Sequence, residues 1–153
     1  MSLFGPREVH FKVVGVPATQ GSMKGYVVGG RARVTNSNTS RLAPWREAVR
    51  SGAVIAMGEA WRPFEGPVEV RLSFALPKPS GAPKSRRTWP IGARAGDVDK
   101  LARGCLDALT DSGIWRDDSQ VVRLHAEKDY PQDAAGHLVP GCIVIVREVE
   151  SNA

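Results

Sequence analysis

GDVDKLARGCLDALTDSGIWRDDSQVV, residues Gly96 to Val122, is the stretch from which the rest of the chain is read. Set at 100° per residue, Val98, Leu101, Ala102, Cys105, Leu106 and Leu109 fall within one arc of about 140°. Asp99, Lys100, Arg103, Gly104, Asp107 and Thr110 take the other side. That amphipathicity predicts a helix over Val98 to Thr110. Asp97 stands at its N-cap position and Asp99 in its first turn, with Arg103 and Asp107 one and two turns further on. Gly113 suits the exit from the helix. Asp117-Asp118 then directly precedes an apolar run that reads as a strand from Ser119 to Lys128.

Upstream lies the cleanest strand pattern in the chain. Val68, Val70, Leu72, Phe74 and Leu76 alternate with Glu69, Arg71 and Ser73, the period of a half-buried strand. Between it and the helix, four prolines from Pro77 to Pro90 forbid regular structure. Residues 77–96 are therefore expected to form a long flexible loop, a length that in compact domains goes with function or disorder. Further out, Val9, Phe11 and Val13 alternate as a strand, and Tyr26 to Val34 reads as a hairpin turning at Gly29-Gly30. Pro44 is expected to open a helix running to about Met57, with Trp45, Ala48, Val49 and Ala56 on one face. Cys142 to Val149 reads as the last strand, after a polar loop from Pro131 to Pro140. The order strand, hairpin, helix, strand, helix, strand, strand predicts an α+β fold: a small mixed β-sheet packed with two main helices, one domain over 1–153, ending in a disordered tail at 150–153.

The 153 residues are 42% apolar and 24% charged, an ordinary globular mix. No apolar stretch approaches the ~20 residues a membrane helix needs, and the N-terminus lacks a signal-peptide core, so a cytoplasmic location with no membrane partner is expected. Cys105 and Cys142 are too few for a disulfide framework and read as buried free thiols. His10, His125 and His137 form no ligand pattern.

Charge is distributed unevenly. The net charge is +5, weak evidence alone for a nucleic-acid partner. The 77–96 loop holds Lys78, Lys84, Arg86, Arg87 and Arg94 and no acid, while Asp97 to Asp118 holds six of the sixteen acids. A stretch that attracts an anion abuts one that repels it, which makes sense if a metal sits between acid and anion. Taken singly, each acid has a plain structural use: an N-cap, a complement to the helix dipole, or turn chemistry for Asp117-Asp118. Taken together, several carboxylates sharing one site need a counter-ion. They are expected to converge if the helix and the following strand pack as a hairpin. Oxygen-only ligands favour hard cations such as Mg²⁺, and the spacing is not that of an EF-hand loop.

This segment resembles the signature of the RusA-type Holliday junction resolvases, the crossover junction endodeoxyribonucleases. The matching positions are Asp97 and Asp99, the basic Arg103 four residues on, Asp107-Ala108-Leu109, the aromatic Trp115, and Asp117-Asp118-Ser119-Gln120-Val121-Val122. Looser agreement extends to the N-terminal strand, Trp45-Arg46, the basic loop and Lys128. The resemblance implies a homodimer that binds branched DNA at four-way junctions and makes paired nicks with Mg²⁺, or Mn²⁺ as substitute. It implies Asp97, Asp99 and Asp118 as metal ligands, with Asp117 in support. The best-known members have Asn at Lys100 and Lys at Arg103. For Arg103 two readings stand open: a charge acting on the phosphate at the transition state, or an i,i+4 ion pair with Asp99 or Asp107. Lys100, about 100° round the helix from Asp99, is expected to face away toward a DNA flank. Lys78, Lys84, Arg86, Arg87, Arg94, Lys100 and Lys128 are candidate DNA contacts, against the alternative of a solvated basic loop. Trp89 is read either as a platform for an unpaired base or as a loop anchor. A nuclease relaxed toward flaps and forks, and a non-enzymatic DNA-binding protein, are the competing functions.

Overall fold

A computed structural model describes residues 5–21, 23–36 and 39–150. Its elements are β1 (Glu8–Val14), β2 (Met23–Val28), β3 (Arg31–Asn36), α1 (Thr39–Met57), β4 (Val68–Ala75), α2 (Val98–Ser112), β5 (Val121–Asp129) and β6 (Gly141–Glu148), with short 3₁₀ turns at Asp118–Gln120 and Pro131–Asp133. Four strands form one sheet in the order β1-β6-β4-β5. β4 pairs parallel with β5, and the other pairs are antiparallel. β2 and β3 form a separate hairpin. The sheet is mixed, as the α+β reading requires.

The register explains the layering. One face carries the rows Val9–Val146–Val70–Leu124 and Phe11–Val144–Leu72–Ala126, the other His10–Ile145–Arg71–His125 and Lys12–Ile143–Ser73–Glu127. The first face takes both helices and the second stays largely polar, the usual division in such sheets. α2 buries Leu101, Ala102, Cys105, Ala108 and Leu109; α1 buries Leu42, Trp45, Val49 and Ala53. Cys105 and Cys142 are buried and free, and burial pushes the Cys142 thiol well above its ordinary range. On the polar face the Pro131–Pro140 loop is pinned by Lys12 donating to the Gly136 carbonyl (2.6 Å) and by His137, whose Nε2 lies 3.0 Å from the Ser73 carbonyl oxygen. Burial holds the His137 pKa below its usual value.

Several boundaries move. α1 starts at Thr39, so Pro44 lies inside it. Only the bond to the Ser40 carbonyl is lost, near the solvated start of the helix, where such a loss is tolerable against the ~3 kcal/mol of a mid-helix proline. Ala56 is exposed, and the buried stripe runs through Ala53. The hairpin is longer than Tyr26 to Val34, and most of its side chains lie outside the described residues. Ser119 belongs to a 3₁₀ turn, and β5 begins at Val121. Of the expected tail, residues 151–153 lie outside the described residues. Among the described residues no helix is long and apolar enough to cross a membrane.

Candidate functional site

At the start of α2, Asp97 takes the N-cap backbone conformation (φ −77°, ψ 139°), yet its side chain makes no capping hydrogen bond. Its carboxylate is two-thirds exposed and meets the Lys100 ammonium at 3.4 Å. Lys100 thus sits on Asp97, not turned away toward a flank. Asp99 is exposed and has no ion pair among the described residues. Arg103 makes no ion pair there either, so neither i,i+4 alternative is realised. Asp107, one of the two candidate partners, instead accepts a hydrogen bond from the Gln20 side chain. Gln20 N–H also donates to the Lys100 carbonyl (3.0 Å), which lays the segment Ala18 to Gly21 across α2. A Cβ at Gly21 would stand 3.4 Å from Arg103 Nη1, so the guanidinium is flanked by backbone.

Gly96 sets the entry to this end. Its φ is +88°, and a Cβ there would lie 2.4 Å from Thr19 Cγ2. The Lys128 ammonium donates to its carbonyl at 2.7 Å, so Lys128 tethers the residue before Asp97. Gly96→Ala is expected to lower stability by about 1–3 kcal/mol, the scale of left-handed strain in a non-glycine residue. Thermal melting checks this. A companion Thr19→Ser change should recover only the steric part, because the φ strain remains.

Asp117 and Asp118 sit at the other end of α2. Asp117 caps the 3₁₀ turn by accepting from Ser119 N–H at 3.0 Å, and hydrogen bonds from Ser119, side chain and then backbone, hold its carboxyl below the usual range. Gln120 accepts from the Arg116 and Asp117 N–H groups and donates to the Phe64 and Gly66 carbonyls (2.8–3.2 Å). With Asp117 committed to the turn, Asp118 projects an exposed carboxylate.

The expected convergence of Asp97, Asp99 and Asp118 does not occur within one chain. A helix that returns into a strand brings the helix's end, not its start, beside the strand's start. The 15 residues of α2 therefore separate the two acidic ends by ~22 Å at 1.5 Å per residue. Among the described residues no three His, Cys, Asp or Glu side chains are placed to hold a metal ion. The donor type suits a hard divalent cation; the placement in a single chain does not.

The basic loop is pinned on one side. Arg87 pairs with Asp129 (2.6 Å) and Asp133 (3.0 Å), and its guanidinium covers the Trp89 ring at 4.2 Å. Trp89 is half exposed and its carbonyl accepts from the Tyr130 hydroxyl. Lys78 lies 5.5 Å from the Tyr130 ring centre. Lys84, Arg86 and Arg94 are exposed, without ion pairs among the described residues. Beside the loop a cleft of about 530 Å³ is floored by Pro17 and Leu76, with Arg41, Lys78, Arg94 and the exposed Val16 about its mouth and no acid in its lining. It also includes Ala95, two residues from Asp97. Arg41 escaped the sequence reading because on α1 it looks like any solvated helix residue. Gln20 and Thr19 escaped because nothing local marks a segment that crosses a distant helix.

Residues 17–139 match the family described as endodeoxyribonuclease RusA. The class is thus that of hydrolases cutting within DNA strands, with the acidic start of α2 and the basic loop inside the matched region. The chain belongs to the RusA endodeoxyribonuclease family, a family of Holliday junction resolvases. It is also similar to YqaN, an uncharacterized protein of Bacillus subtilis strain 168, with 26% identity covering 94% of this chain and 98% of that one.

Proposed function

We propose that the protein is a Mg²⁺-dependent, structure-selective endonuclease, with Mn²⁺ as substitute, that acts as a cytoplasmic homodimer in DNA recombination and repair and resolves four-way junctions by paired nicks. The observation that carries this reading is the family match over residues 17–139, which contains the whole Asp97 to Val122 motif. The uncapped Asp97 carboxylate supports it, because an N-cap acid that does no capping is left available for other work. So does Arg103, which makes no ion pair among the described residues and lies one turn from Asp99. A phosphodiester repels nucleophiles by its charge, and a fixed guanidinium lessens that repulsion most where charge grows in the transition state. The cleft rimmed by Arg41, Lys78 and Arg94 gives the DNA strand a route toward Asp97: cations meet phosphates, and the apolar floor suits an unpaired base more than a closed duplex. Lys84 and Arg86 extend the basic surface outward. Arg87 and Lys128, held by carboxylates and a carbonyl, act chiefly by positioning the loop.

The test is cleavage of a labelled four-way junction, with flap, fork and linear duplex as companions, with Mg²⁺ and with chelator. Symmetric, ligatable nicks on the junction alone are expected. Equal cutting of flaps and forks would replace junction resolution with a broader branched-DNA nuclease, and binding without cutting of any substrate would leave a DNA-binding protein.

A further inference from the structure

We infer that Gln20 is a positioning residue for the reaction: by holding the Asp107 carboxylate, it keeps the Arg103 guanidinium from being neutralised within its own helix. The inference rests on the nuclease reading above, in which Arg103 meets the phosphate. It starts from a pair that the sequence offers and the fold does not make. Arg103 and Asp107 are four residues apart on α2, so they lie on one face of the helix, where opposite charges ordinarily pair. Among the described residues that pair is absent, and Asp107 accepts instead from Gln20 Nε2.

The segment that brings Gln20 there is fixed on α2 by its backbone. Gln20 N–H donates to the Lys100 carbonyl (3.0 Å). The segment crosses the helix at Gly104, where a Cβ would already be in contact with the Ala18 carbonyl oxygen (3.4 Å) and Gln20 Cβ (3.7 Å). At the next residue, Gly21, a Cβ would stand 3.2 Å from Lys100 Cγ and 3.4 Å from Arg103 Nη1. One stretch of backbone thus runs past Arg103 and delivers an amide to Asp107. A carboxylate only accepts, so the contact is made by the –NH₂ end of that amide. Gln20 Oε1 is left buried with no hydrogen-bond partner among the described residues, which costs stability. The bond to Asp107 is kept in spite of that, and bonds from an amide to a full negative charge are among the stronger ones. A neutral donor suits the role: it satisfies Asp107 without taking the place of the cation, which stays with Arg103.

The test is single-turnover nicking of the four-way junction at saturating protein by Gln20→Ala, Asp107→Asn and the double variant. Gln20→Ala releases Asp107 to pair with Arg103. The rate should fall about two- to fivefold, the range of one solvent-exposed ion pair, with no change in the protein concentration that saturates. Adding Asp107→Asn removes the competing charge and should return the rate to near wild type. Gln20→Met, which keeps the length of the side chain but cannot donate, should be as slow as Gln20→Ala. A wild-type rate for Gln20→Ala or Gln20→Met would overturn the inference. So would a double variant as slow as Gln20→Ala, since Gln20 would then only tether its segment. A second readout needs no cleavage. The Arg103 Nε–H resonance should shift and exchange more slowly with solvent in Gln20→Ala, and return to its wild-type position in the double variant. If the wild type cuts no junction, the nuclease reading fails and this resonance alone decides the pairing: an Arg103 signal indifferent to Gln20→Ala would refute it.

Discussion

Replacing Asp97, Asp99 or Asp118 singly by Asn is expected to reduce junction nicking by at least ~100-fold, the scale of losing a principal electrostatic element of an active site, while junction affinity stays near wild type. Each change removes one charge and almost no volume. All three side chains are exposed, and none supplies a cap hydrogen bond in the fold, so melting temperatures should barely move. Asp117→Asn should behave differently. Its carboxylate holds the turn before β5 through Ser119, and the loss should appear in stability as well as rate. Asp107→Asn should also be mild, because Asp107 faces Gln20. The check is single-turnover nicking beside gel-shift binding. Near-wild-type nicking by any of the three would remove that residue from the site.

Arg103→Ala is expected to slow nicking by ~100-fold at saturating protein, with little change in the protein concentration needed to saturate. A group used only at the transition state acts on the chemical step, one used in the ground state on affinity. The fold strengthens this expectation, because the two acids that could have neutralised Arg103 do not pair with it, and Gln20 occupies Asp107. Arg103→Lys should restore part of the rate, since charge returns without the planar fork. Lys100→Ala has a less simple expectation than a flank contact would give. Lys100 sits on Asp97, so its loss should alter how Asp97 is held, with an effect on rate as well as on binding. Wild-type rates for Arg103→Ala at saturation, with only a lower melting temperature, would make Arg103 a structural residue.

Local periodicity made α2 and β4 legible. Both bury one face, and a buried face imprints its period of 3.6 or 2 directly on the residue order. The start of α1 was less visible because a proline at position 44 is a common opening signal, and only tertiary packing shows that the helix precedes it. The candidate site residues stand close together in the sequence, but that closeness does not fix their placement in space. Asp97, Asp99, Arg103 and Asp118 stand in a compact motif, but whether two ends of a helix meet depends on chain direction in space. A helix followed by a strand reads as a hairpin, and a hairpin suggests closeness without saying which ends are close. Arg87 shows the converse: its type suggested a DNA contact, while its partners Asp129 and Asp133 lie more than forty positions away.

The one-sided core has a consequence for how the molecule opens. β4 and β6 lie inside the sheet, and α1 and α2 pack on its apolar face in one core with Phe64, Ile114 and Trp115, so neither helix can detach without wetting the rows beneath it. Amide exchange in α2, β4 and β6 should therefore proceed mainly through global unfolding, at the slow limit set by total stability. The amides of residues 77–96, which belong to no helix or strand, should exchange through small local openings. Asp97, Asp99 and Arg103 are thus mounted at the edge of the slowest-opening unit, while Lys84 and Arg86 ride on the fastest. On the proposed reading, the groups that act on the phosphate sit on the part that does not yield, and the cations proposed to meet a DNA branch sit where the backbone can adapt to it.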